Sequence, residues 1–139
     1  MTTKATGQCL CGAVTYEVEI PDESPYAGLC HCKDCQRYTG TAFASSIMVP
    51  KAGMKLEGEL KFYGKETERG TTMERGFCAT CGSNVLCRSD AWSNQYVLSA
   101  GTLDDPSVYH PKINIFTRSA HAHVWHTDDM RKFEGMPGK

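Results

Sequence analysis

Residues 30–35 read Cys30-His-Cys32-Lys-Asp-Cys35, three thiols within six residues. Working outward, a pair lies on each side: Cys9-Leu-Cys11-Gly12 near the start and Cys78-Ala-Thr-Cys81-Gly82 past the middle. The chain has eight cysteines in 139 residues, and only Cys87 stands outside these groups. Thiols two or three positions apart converge easily on one ion, whereas a disulfide between such near neighbours is strained. The spacing therefore favours zinc over disulfides. Both flanking pairs are followed by glycine, which lets the backbone turn tightly and aim amide donors at sulfur. Two such knuckles make a closed, tetrahedral, structural site from Cys9, Cys11, Cys78 and Cys81, tying the start of the chain to its middle. Cys30, Cys32 and Cys35 supply three ligands, which leaves a coordination position for water or substrate. The alternative is a second structural site, completed by a distant histidine or by Cys87.

Composition bounds the rest. Forty per cent apolar residues over this length fit one domain, expected to run over residues 1–139. The formal net charge is -1, and lysines and arginines are scattered, so nucleic acid is not an expected partner. Met1 to Gln8 is polar and lacks the apolar stretch of a secretion signal, and no run approaches a membrane span. The expectation is a soluble, cytoplasmic protein with no membrane partner.

Most of the chain reads as short strands. Between Ala13 and Ile20 the residues alternate, with Val14, Tyr16, Val18 and Ile20 on one face. Pro21 to Gly28 reads as a loop delivering the chain to Cys30. Lys33 to Tyr38 allows one or two helical turns, ended by Gly40. Thr41 to Val49 suits a buried strand stopped by Pro50. Further strands are expected at Met54–Leu56, Leu60–Tyr63, Thr71–Phe77, Asn84–Arg88, Tyr96–Ser99 and Ile113–Phe116. Asp104 to Tyr109 is at most a helical turn, Val124 and Trp125 form an apolar anchor, and Glu134 to Lys139 reads as a frayed tail. The fold class is mainly β, with few short helices and little room for one large core. Metal closure of long loops then has a physical role.

Other residues near these motifs have plainer readings. His31, between two ligands, is expected to point away from the metal, towards solvent or as a supporting group. Arg37 is close enough in sequence to offset the charge of three thiolates on one zinc. Tyr38 and Thr39 either donate to a bound ligand or cap the helix. Cys87, in an apolar run, reads as an inert buried thiol. His121, His123 and His126 look metal-like, but their small and polar neighbours point to a solvated edge.

The segments Gln8-Cys-Leu-Cys-Gly-Ala-Val-Thr-Tyr16, Cys30-His-Cys-Lys-Asp-Cys-Gln-Arg-Tyr-Thr-Gly-Thr-Ala-Phe43 and Phe77-Cys-Ala-Thr-Cys-Gly-Ser83 together resemble the glutathione-dependent formaldehyde-activating enzyme family. Ile115-Phe116 and the later Trp125 resemble its C-terminal pattern. The resemblance implies an Mss4-like fold of several short coiled antiparallel β-sheets stapled by zinc. It puts Cys9, Cys11, Cys78 and Cys81 on a structural zinc, and Cys30, Cys32 and Cys35 on a catalytic one. It implies two zinc ions per chain, glutathione as co-substrate, and a carbon–sulfur lyase-type activity that adds a small-molecule thiol to an aldehyde to give an S-hydroxymethyl adduct. Three positions depart from the family's pattern: Gln36 where a second arginine is frequent, Thr41 for serine, and Asn114 where histidine is common. Two other functions fit the motifs. A non-enzymatic zinc-stabilised binding module would have both centres closed. A redox enzyme of the methionine sulfoxide reductase kind would need Cys87 to be reactive.

Overall fold

The computed structural model describes residues 1–124 and Glu134. The readings at Trp125 and His126, and the tail beyond Glu134, lie outside the described residues. Among the described residues, ten strands and one α-helix appear in the order β1 Thr2–Gln8, β2 Thr15–Pro21, β3 Ala27–Cys30, α1 Lys33–Thr39, β4 Ala44–Pro50, β5 Met54–Glu57, β6 Leu60–Glu66, β7 Thr72–Cys78, β8 Asn84–Ser89, β9 Gln95–Ser99 and β10 Ile113–Ile115. The mainly β expectation holds. The strands form a three-stranded sheet, ordered β1-β2-β5, and a seven-stranded sheet, ordered β10-β3-β4-β9-β8-β7-β6. Every pairing is antiparallel except β10 on β3, which is parallel.

The alternation in β2 does what its pattern requires. Tyr16, Val18 and Ile20 are buried and Glu17 is exposed. With Val14 they meet Ile47 and Val49 of β4, Val85 and Leu86 of β8 and Leu98 of β9 in one core. Burying each such aliphatic side chain is worth about 1.5–3 kcal/mol. Cys9 and Cys78 belong to this core, at 2% and 1% exposure.

Three local expectations are corrected. Met1 to Gln8, read only as a polar segment, contains β1, an edge strand whose single buried residue is Gly7. The loop read over Pro21 to Gly28 gives way to β3 at Ala27, because Gly28 and Leu29 pair with both β4 and β10. The strand read from Thr41 begins at Ala44, since Thr41 turns to hydrogen-bond Thr39 and the Phe43 carbonyl. Gly40, in the left-handed conformation, ends α1 as read. Among the described residues no helix is long and apolar enough to cross a membrane.

Candidate metal centres

The sulfurs of Cys9, Cys11, Cys78 and Cys81 all lie within 4.8 Å of one another. Cys9 ends β1's excursion into the core, and Cys78 is the last residue of β7. The knuckle turns follow from Gly12 and Gly82, at φ 81° and 78°, a region that side chains other than glycine's rarely adopt. Amide donors converge on sulfur: Val14 on Cys9 at 3.3 Å, Ala13 on Cys11 at 3.4 Å, and Thr80 and Cys81 on Cys78 at 3.3 and 3.4 Å. Ser83 Oγ lies 3.2 Å from Cys81 Sγ, and this bond, aided by amide donors, draws the Cys81 thiol down to about 5. The geometry fits zinc. Four sulfurs at about 2.3 Å from one ion stand about 3.8 Å apart. Here Cys9 and Cys11 are 3.7 Å apart, and Cys11 and Cys78 3.9 Å.

The sulfurs of Cys30, Cys32 and Cys35 form a second cluster within the same 4.8 Å limit. Cys30 closes β3, Cys32 caps α1 and Cys35 lies in its first turn, its amide donating to Cys32 Sγ at 3.2 Å. One side of the cluster is closed, with Cys30 buried, and Cys32 and Cys35 are partly accessible. Hydrogen bonds from Cys30 and Cys35 hold the Cys32 thiol far below the ordinary thiol range, at about 2. Its hydrogen bonds with Cys30 and then Cys32, together with burial, push Cys35 up. Three sulfurs this close together, one of them favoured as thiolate, are suited to a cation. Among the described residues no histidine, cysteine or carboxylate joins these three sulfurs as a fourth ligand. Neither Cys87, His31, His121 nor His123 does so. The two clusters can each hold a metal ion, one closed by four sulfurs and one left open at three.

A polar network fixes the backbone beside the open cluster. His31 is fully buried, which corrects the solvent-facing reading; its Nε2 lies 2.9 Å from Asn114 Oδ1. Its amide donates to the Ile115 carbonyl at 3.0 Å. Gln36, buried on α1, donates through Nε2 to the carbonyls of His31 and Ser119, at 2.8 and 2.9 Å. Its Oε1 must therefore accept, and His121 Nε2 is the donor at 2.8 Å. Two positions that depart from the family's pattern, Gln36 and Asn114, thus meet around one histidine. His121 and His123 lie on an exposed edge, as read. Thr39 Oγ1 donates to the Cys35 carbonyl at 2.8 Å, and Tyr38 Oη to Gly76 O at 2.6 Å, so both serve the helix and its packing.

One cation near this cluster was missed by sequence reasoning. Arg37 is exposed on α1. After the hydrogen bonds of Cys30 and Cys35, a lesser electrostatic pull on Cys32 comes from Arg75 of β7, which is 9% exposed. Arg75 pairs across the sheet with Cys87 of β8, and its Cζ lies 5.9 Å from the Tyr38 ring centroid. Burial pushes Cys87 up to about 11 despite Arg75, in keeping with an inert thiol. The signal available in the sequence was an arginine at an inward position of a strand, three residues before Cys78. Two surface depressions, of about 370 and 530 Å³, are lined by none of the cluster cysteines.

Comparison with known proteins places this geometry. A crystal structure of a Rhodobacter sphaeroides protein superposes with a TM-score of 0.57 at 26% identity, covering 71% of this chain and 87% of that one. Among curated proteins no sequence matches. The family profile described as glutathione-dependent formaldehyde-activating enzyme matches residues 4–119, which include both clusters. With that span matched, the chain belongs to the glutathione-dependent formaldehyde-activating enzyme family.

Proposed function

We propose that the chain is a zinc-dependent carbon–sulfur lyase-type enzyme that joins glutathione to formaldehyde, giving S-hydroxymethylglutathione. The observation that carries this reading is the contrast between the clusters: four sulfurs saturate one, and three leave the other a place for substrate. Cys9, Cys11, Cys78 and Cys81 would hold the structural ion. Cys30, Cys32 and Cys35 would hold the second, which when bound supplies a Lewis acid that favours thiolate over thiol and polarises a carbonyl. The chain's own residues prepare that position. Gln36 and His31 pin the Cys30–Cys35 segment so that the three sulfurs keep their spacing. The reaction balances without a redox step: the thiol proton leaves to solvent, a sulfur–carbon bond forms, and the carbonyl oxygen takes up a proton.

The binding-module reading needs a fourth protein ligand at the open cluster, and the described residues offer none. The redox reading needs a reactive Cys87, whose thiol burial pushes the wrong way. The test is Cys32→Ser and Cys35→Ser, with zinc content, circular dichroism and turnover measured together. Each variant is expected to lose one zinc and the adduct-forming activity while keeping its strand spectrum. Unchanged turnover in either refutes the proposal.

A further inference from the structure

Among the described residues, Arg75 is a buried cation with no carboxylate partner. It is nine-tenths buried, and its Nε is shielded from solvent with no hydrogen-bond partner. The ion pairs among the described residues, Lys65–Asp34, Arg88–Glu74 and Arg118–Glu68, do not use it. It lies over the face of Tyr38, and its neighbours across the sheet are Cys87 of β8 and Tyr63 of β6. An uncompensated charge in such a place is strongly unfavourable. A guanidinium held there implies a negative partner that the carboxylates of the described residues do not supply. Tyr38 belongs to the same short helix that Cys32 caps and whose first turn holds Cys35, so the side chain that Arg75 covers is carried by the element holding two of the three sulfurs.

Three thiolates on a divalent ion sum to -1, and an anionic fourth ligand makes the centre -2. We infer that Arg75 is the counter-charge of the open three-cysteine centre, a positioning residue that makes its fourth place accept an anionic thiolate in preference to a neutral ligand. This inference rests on the open metal centre of the proposed function. Binding a thiol there forms one metal–sulfur bond and releases the thiol proton to the buffer, so no oxidant or reductant is required. The effect is electrostatic and directional: loss of the arginine weakens anions and leaves neutral donors alone.

Cobalt-substituted full-length protein provides the test, because thiolate binding changes the cobalt absorption. Dissociation constants for 2-mercaptoethanol, glutathione and imidazole are measured at one pH for the unaltered chain, Arg75→Met and Arg75→Lys. A unit charge on the flank of the helix that carries the cluster, in a partly buried site, is worth about tenfold in affinity. Arg75→Met is therefore expected to weaken both thiols about tenfold and imidazole less than twofold, and Arg75→Lys to restore most of the loss. Equal weakening of all three ligands means a structural role and overturns the inference, as does no weakening of any. Weakening of glutathione alone assigns Arg75 to the tripeptide's carboxylates and also overturns it. If the unaltered chain binds only one cobalt, or binds two and takes up no thiol, the open-centre reading itself fails. If it binds two and takes up thiol while Arg75→Met behaves identically, only the role of Arg75 falls. Should Arg75→Met fail to fold, Arg75→Lys decides: it keeps the charge and must keep the preference for thiolate over imidazole.

Discussion

Replacing Cys78 with serine separates the two clusters by their mechanical roles. Cys11 and Cys78 are 67 positions apart, so the four-sulfur cluster closes a long loop. Cys30 to Cys35 span six residues, so the three-sulfur cluster closes almost nothing. Treating each ion as a cross-link, chain entropy gives about 4 kcal/mol for the long loop and about 2 kcal/mol for the short one. Native stability is commonly about 5–15 kcal/mol, so the first loss is a large share of the whole. At about 2–5 °C per kcal/mol for a chain of this size, Cys78→Ser is expected to melt about 10–20 °C lower, and Cys35→Ser about half as much. Cys78 is 1% exposed, so its replacement also buries a hydroxyl; Cys87→Ser, at a mostly buried position outside both clusters, controls for that and should keep both ions. The assay is zinc per chain by mass spectrometry alongside thermal melts followed by circular dichroism. A Cys35→Ser loss equal to or greater than that of Cys78→Ser would refute the staple argument, and so would retention of two ions in Cys78→Ser.

Two further outcomes follow from the surroundings of the open cluster. Gln36→Ala leaves the carbonyls of His31 and Ser119 and the His121 ring without their partner, at a cost of about 2–3 kcal/mol; a urea midpoint unchanged from the unaltered chain would contradict this. Burial pushes the Cys87 thiol up to about 11, so it stays protonated at neutral pH. In the zinc-loaded protein its alkylation by iodoacetamide should be slow at pH 7.5 and accelerate as pH rises towards 11, and rapid labelling at pH 7.5 would show the thiolate to be accessible.

Both clusters were legible from spacing, because ligand geometry is set locally: Gly12 and Gly82 turn the chain and the next amides find the sulfurs. The β2 alternation was legible for a similar reason, since its buried face is written at every second residue. What failed needed partners remote in sequence. β1 is polar because six of its seven residues are not buried, and only its pairing with β2 makes it a strand. β3 is short and follows a proline-bearing segment, and it exists because β4 and the distant β10 clamp it from both sides. Arg75 was passed over for Arg37, which is nearer to the cysteines in sequence; register across β7 and β8, and the tilt of Tyr38 from α1, bring the more distant arginine to the site. The network joining Gln36, His31 and Asn114 likewise spans 83 positions between His31 and Asn114, beyond the reach of any local pattern.

The central claim is one saturated and one unsaturated sulfur centre in the same chain. Zinc X-ray absorption on the zinc-loaded protein, with and without glutathione, reads it directly through the number of sulfurs per ion. Four at one centre and three at the other average to about three and a half per zinc, rising to about four when glutathione is added. Four sulfurs per zinc before any thiol is present, or no change on adding glutathione, would contradict the account.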